Sequence, residues 1–234
     1  MELVLDNVSK KYKEKVAVDN LSIKLEPGVI GLLGANGAGK TTLMRMMCGI
    51  LNTSSGTISY DGKDVSEESY RDILGYLPQD FGYYPGFTGK EFLLYMASLK
   101  GMKRKAAEEK TNELLDIVSL KEVSNKKIKT YSGGMQRRLG IAQALLNDPE
   151  VLILDEPTAG LDPKERVRFR NLIAECGKHS IVVLSTHIVS DVEHIADRIL
   201  MMQDGHILWD GTQKDAGDDL EELYLKQFGG EDYE

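Results

Sequence analysis

Cysteine is scarce in this 234-residue chain: Cys48 and Cys176 are its only two, and they share no metal-binding or redox spacing. That excludes a disulfide scaffold and a cysteine-ligated metal site and fits a reducing compartment, with both thiols read as small buried hydrophobes. Long apolar runs are missing as well. No stretch approaches the ~20 residues that cross a bilayer, and Met1-Glu2-Leu3-Val4 lacks the basic start and long apolar region of a secretory signal. A cytoplasmic chain is expected, one that cannot span a membrane by itself. Positive charge is in deficit: 29 Lys and Arg face 37 Asp and Glu, a formal net charge of −8. No nucleic-acid partner is expected, because such binding rests on basic residues that neutralise phosphates. Internal repeats, linkers and low-complexity tracts are also lacking. What remains, 41% hydrophobic and 28% charged, is enough to build one large α/β core with a subdomain.

Gly34-Ala35-Asn36-Gly37-Ala38-Gly39-Lys40-Thr41-Thr42 is the organising stretch. It has the form G-x-x-x-x-G-K-[ST] of a phosphate-binding loop. Val29-Ile30-Gly31-Leu32-Leu33 before it reads as a strand buried on both faces, and Leu43, Met46, Met47 and Ile50 after it fall at helical spacing. Glycines let backbone N–H groups turn inward around an anion, and the helix N-terminus adds roughly half a positive charge. Lys40 is then placed to reach β- and γ-phosphates, and the Thr41 hydroxyl to ligate Mg²⁺.

Around this loop the chain reads in order. Leu3 and Leu5, then Leu21, Ile23 and Leu25, alternate as half-buried strands, with Lys10 to Lys15 as a solvated turn between them. Tyr12 in that turn is either a stacking surface for a purine or a packing residue. Gly56 to Gly62 is a strand closed by an Asp-Gly turn, and Ile73 to Leu77 is a strand that runs into Pro78-Gln79. From Gly82 to Leu146 helical patterns dominate: a capping box at Thr88 and Glu91, a charged helix over Lys103 to Val118, and a helix with Leu139, Ala142 and Leu146 on its apolar side. Tyr83, Tyr84, Pro85 and Phe87 at the entrance are either subdomain packing or a docking surface.

Ser132-Gly133-Gly134 opens the last of these helices and is a second anion site of the same physical type as the first. Val151 to Leu154 is an apolar strand ending in Asp155-Glu156, which puts two carboxylates at the ligand-binding edge of a parallel sheet. Asp155 suits a Mg²⁺ role and Glu156 the polarisation of an attacking water. Pro163 starts a helix that ends near Gly177, and Ile181 to Ser185 is a further buried strand, ending at Thr186-His187. Ser190 and Glu193 predict a capped short helix, Asp204-Gly205 a hairpin turn, and Asp218 to Phe228 a helix followed by a frayed tail.

Taken together, these motifs resemble the nucleotide-binding subunit of an ATP-binding-cassette (ABC) transporter over essentially the whole chain. In that family's terms Tyr12 matches the adenine-stacking aromatic, Gly34 to Thr42 the Walker A loop, and Gln79 the glutamine between the γ-phosphate site and the membrane partner. Tyr131 to Met135 matches the signature motif, Val151 to Asp155 Walker B, Glu156 the catalytic glutamate, Ala159 to Asp162 the loop that crosses to the opposite subunit, and His187 the switch histidine. Tyr131 and Met135 stand where leucine and glutamine are usual. The resemblance implies a P-loop NTPase core of α/β class with a mostly parallel sheet, an N-terminal antiparallel β subdomain and an inserted α-helical subdomain. The whole is one ABC ATPase domain, with residues 1–81 and 147–234 as the core and 82–146 as the insertion. It implies ATP and Mg²⁺ as ligands: Tyr12, Asn36, Gly37, Ala38, Gly39, Lys40, Thr41, Thr42, Ser132, Gly133 and Gly134 around the nucleotide, Thr41, Gln79 and Asp155 on the metal, and Glu156, His187, Gln79 and Lys40 in the chemistry. It also implies a second ABC ATPase subunit paired head to tail and an integral membrane permease, driven from the cytoplasmic face and similar to drug, peptide and lipid exporters. The alternative is a soluble cassette ATPase of repair, chromosome organisation or translation, or a regulatory module that closes without hydrolysis.

Overall fold

The computed structural model describes residues 1–217 and 220–228. Alternating apolar and polar residues form the opening hairpin, β1 (Leu3–Tyr12) and β2 (Lys15–Leu25), which turns Leu3, Leu5, Val18 and Leu25 inward. The expected six-residue turn shrinks to Lys13-Glu14, because Lys10, Lys11 and Tyr12 stay in register with Val18, Val16 and Lys15. Next comes β3 (Gly28–Leu33), buried at every position as its unbroken apolar sequence requires, and then the glycine loop and α1 (Lys40–Met47). The helix stops one turn earlier than its apolar spacing predicts. Gly49 leaves it at φ 65° so close to the Val65 backbone that a Cβ there would lie 2.3 Å from the carbonyl oxygen. Ile50, expected on the buried stripe, is therefore 61% exposed.

β4 (Ser55–Tyr60) and β5 (Lys63–Asp64) flank the Asp61-Gly62 turn and complete an antiparallel sheet of order β2-β1-β4-β5. A short α2 (Glu68–Ile73), which no sequence pattern announced, precedes β6 (Leu74–Leu77). The helical stretch follows: α3 (Gly89–Leu99), begun by the Thr88–Glu91 capping box, then α4 (Arg104–Ile117) and α5 (Gly133–Ala144). β7 (Val151–Asp155), α6 (Pro163–Gly177) with its Asp162–Glu165 capping box, and β8 (Ile181–Thr186) rebuild the α/β alternation. The hairpin β9 (Arg198–Gln203) and β10 (His206–Gly211), a short α7 (Gln213–Ala216) and α8 (Leu220–Phe228) end the described chain. The capped helix expected at Ser190 is a 3-10 turn over Val189–Asp191 with no side-chain cap. Its Asp191 carboxylate is drawn inside instead, to the Thr158 hydroxyl at 2.5 Å and toward Arg166 at 3.5 Å. The expected start at Asp218 and the tail from Gly229 lie outside the described residues.

The central sheet has the order β10-β9-β3-β8-β7-β6, parallel except for β10. It is the mostly parallel α/β sheet that the sequence implied, with the antiparallel sheet beside it. It also divides the interior in two. One core lies between the central sheet, α1 and the antiparallel sheet; the other joins the sheet's opposite face to α3, α4, α5, α6 and α8. The helical stretch thus has no interior of its own, since Phe92, Leu93 and Leu114 pack in one cluster with Leu77, Leu152 and Leu154. Among the described residues no helix is long and apolar enough to cross a membrane.

Candidate nucleotide-binding and hydrolytic site

Strand order decides what meets at the carboxyl edge of the sheet. β3 lies between β8 and β9, with β7 beyond β8, so the loops after β3, β7 and β8 emerge side by side. The cleft there, about 400 Å³, is lined by Tyr12, Lys15, Ala17, Asn36, Gly37, Gly39, Lys40, Thr41, Thr42, Gln79, Asp155 and Glu156. Residues as far as 144 positions apart in the chain thus face one space.

The loop between β3 and α1 is shaped by backbone demands. Gly39 sits at φ 111°, and a Cβ there would lie 2.2 Å from the Ala17 carbonyl oxygen, so only glycine lets the loop rest against β2. Ala38 is turned away from the cleft: its side chain is buried, its N–H donates to the Ala35 carbonyl and its own carbonyl accepts from Gly205 N–H. Lys40 crosses the loop and donates to the carbonyls of Gly34 at 2.6 Å and Ala35 at 3.1 Å. Burial pushes its pKa down, and the carboxylates of Glu156 and Asp155 oppose that shift. Tyr12, at the end of β1 rather than in a turn, is 46% exposed with its ring on the cleft and Lys10 Nζ 5.4 Å from the ring centre.

The acids are held by a chain of hydrogen bonds. Glu156 N–H donates to Ser185 Oγ at 3.0 Å, and Ser185 O–H donates to Asp155 Oδ1 at 2.6 Å. Asp155 is fully buried, and its other oxygen, Oδ2, has no hydrogen-bond partner among the described residues. A buried carboxylate oxygen left unpaired is costly unless a cation meets it. With the Thr41 hydroxyl and Gln79 amide on the same cleft, the donor set is all oxygen and suits Mg²⁺. Glu156 adopts φ 50°, a left-handed backbone that costs about 1–2 kcal/mol for a residue with a Cβ. His187, just past β8, brings Nδ1 to 3.1 Å from both Glu156 carboxylate oxygens.

Ser132, Gly133 and Gly134 do not line this cleft. Ser132 caps α5, its Oγ accepting from Met135 N–H at 3.2 Å, and a Cβ at Gly134 would lie 3.0 Å from the Gly160 carbonyl oxygen. Arg138 beside them pairs with Glu165 at 2.9 Å, the residue that closes the capping box on Asp162. The two unusual signature positions are absorbed by packing. Tyr131 is buried and donates its hydroxyl to the Val123 carbonyl at 2.9 Å, and Met135 packs against the helical-side core.

Three residues at or beside the site were not singled out from the sequence. Ser185 was legible only as the end of a buried strand; its role follows from the register that sets it opposite Asp155. Arg137 and Asp191 are charged residues on apolar faces, and that misfit with their neighbours was the available signal.

Comparison with known proteins agrees with this geometry. The family described as "ABC transporter" matches residues 18–159. An uncharacterized ABC transporter ATP-binding protein of Bacillus subtilis (strain 168), YxlF, is 40% identical over 226 residues, which cover 96% of this chain and 73% of that protein. The Nod factor export ATP-binding protein I of Burkholderia orbicola (strain AU 1054) is 38% identical over 230 residues, covering 93% and 75%. Among solved structures, an ATP binding subunit of an ABC transporter superposes with a TM-score of 0.88 at 26% identity, covering 97% of this chain and 99% of that one.

Proposed function

The chain belongs to the ATP-binding subunits of ABC transporters, and from that premise we propose that it hydrolyses Mg²⁺-ATP in the cleft between Tyr12 and Glu156 to drive a separate membrane permease, in the direction of export. The meeting of a phosphate loop, a buried unpaired carboxylate oxygen and a second acid in one cleft carries this reading. Tyr12 takes the base; Asn36, Gly37, Gly39, Lys40, Thr41 and Thr42 take the phosphates. Thr41, Gln79 and Asp155 hold Mg²⁺, which supplies charge neutralisation at the phosphate oxygens when bound. Glu156 accepts a proton from the attacking water, with His187 held beside it at 3.1 Å.

The position of Ser132, Gly133 and Gly134 outside their own chain's cleft supports pairing with a second cassette subunit, each supplying the other's signature helix. The permease is proposed to dock on the aromatic group Tyr84, Phe87 and Tyr95, whose rings lie 5.2–5.7 Å apart while Tyr84 stays 50% exposed. Work on the cytoplasmic face of the membrane follows from such a partner, and the export function named for the Burkholderia relative supports the direction. Residues 82–146 act in this scheme as the segment that passes nucleotide-driven motion to the permease.

Two measurements test the proposal. Purified protein should release phosphate from ATP only with Mg²⁺, and tagged protein recovered from detergent-extracted membranes of its native host should carry a hydrophobic partner in fixed ratio. No phosphate release, or recovery only as a free cytosolic protein, would overturn it.

A further inference from the structure

Arg137, in the first turns of α5, donates all five of its N–H groups to backbone carbonyls. Nε reaches Pro157 at 3.3 Å, Nη1 reaches Pro78 at 2.8 Å and Gln79 at 3.0 Å, and Nη2 reaches Glu156 at 2.6 Å and also Asp155. The acceptors belong to two separate loops, one carrying Gln79 and the other Glu156, and the arginine stands on the helix that Ser132 caps. Arg137 as a residue is 7% exposed, so its planar fork has little solvent to bond instead. No substrate-facing atom of the cleft is contributed by Arg137, which is absent from its lining.

Resting on the ATPase reading above, we propose that Arg137 is a positioning residue for hydrolysis: it fixes the carbonyls of Gln79 and Glu156 relative to each other and to α5. The geometry explains two features together. Glu156 keeps a left-handed backbone because its N–H is bound by Ser185 and its carbonyl by Arg137, one on each side of the Cα. A shift of the Gln79 loop loads the Pro78 and Gln79 carbonyl contacts to Arg137, whose own backbone belongs to α5, so loop and helix are tied through one side chain. Lysine cannot do the same, because its three donors radiate from one nitrogen and do not span two loops.

The test uses the full chain as wild type, Arg137→Met and Arg137→Lys, with steady-state turnover, ATP affinity by calorimetry and amide hydrogen exchange. Arg137→Met should lower kcat 10- to 100-fold while KM and Kd for ATP move less than threefold. Exchange should rise in peptides spanning 76–82 and 154–160 but not in α3. Arg137→Lys should recover less than half of wild-type kcat, and it alone decides the matter if the methionine variant does not fold. Wild-type kcat in the lysine variant, or exchange that rises evenly through the whole chain, would overturn the positioning role. A wild-type chain with no turnover would instead overturn the ATPase reading and this inference with it, whereas active wild type with equally active variants sinks the inference alone.

Discussion

Replacing Glu156 with glutamine swaps a proton acceptor for an amide of the same shape. The fold should hardly notice. The backbone of residue 156 is held by Ser185 Oγ and by Arg137, neither of which touches the side chain, and the amide oxygen of glutamine still accepts from His187 Nδ1. No buried hydrogen bond is left without a partner, so the stability change should stay within about 1 kcal/mol, or about 2–4 °C in Tm for a domain of this size. Chemistry should change far more. Loss of a general base typically removes 10²–10⁴ in rate, which is about 3–5 kcal/mol of transition-state stabilisation. Nucleotide binding should hold or tighten, because a negative charge beside the phosphates disappears. The protein should then accumulate in the ATP-bound pair: size-exclusion chromatography with Mg²⁺ and ATP should show dimer for Glu156→Gln and mostly monomer for wild type, with monomer for both in ADP. Phosphate release is the stricter readout. A variant that keeps more than about a tenth of wild-type turnover would refute Glu156 as the base.

Lys40→Ala should abolish ATP binding measurable by calorimetry, since Nζ is the full positive charge buried in the phosphate loop; near wild-type affinity would remove Lys40 from the site. Tyr12→Ala should weaken ATP binding by about 1–3 kcal/mol, roughly 5- to 150-fold in Kd, and unchanged affinity would return Tyr12 to a packing role. Tyr84→Asp places a charge on the half-exposed aromatic group, so pull-down of the permease should fall while ATP turnover and Tm of the isolated subunit persist. A collapse in Tm would mark Tyr84 as core.

How much of this was legible depends on the distance over which each feature is decided. The glycine loop, the capping box at Thr88, the helix start at Pro163 and the Asp204-Gly205 hairpin are settled within a few residues, and sequence spacing reads them directly, whereas the capping box expected at Ser190 is absent because Asp191 is drawn inside. Features decided by contact across the fold were missed. Ile50 has the right spacing for α1, but the Val65 backbone forces the chain out of the helix at Gly49. Lys10 to Tyr12 look like a solvated turn, yet pairing with β2 keeps them in a strand. Ser185, Arg137 and Asp191 gain their meaning from a parallel register and a helix face, neither of which has a local signature. The resemblance supplied what spacing could not, namely the expectation that Gln79 belongs to the cleft and that the Tyr12 ring stacks there rather than packing.

The placing of β3 between β8 and β9 also sets a clock for biosynthesis. Gly28–Leu33 has no sheet partner near it in sequence; it pairs with Ile181–Thr186 on one side and Arg198–Met201 on the other. Roughly 150 residues separate them, so at ribosomal speeds of ~5–20 residues per second the strand waits about 8–30 s for its first neighbour. During that interval Val29-Ile30-Gly31-Leu32-Leu33, apolar throughout, is an unpaired strand attached to a translating ribosome. The phosphate loop cannot take its shape until the last third of the chain arrives, and truncated products should be captured by chaperones rather than by ATP.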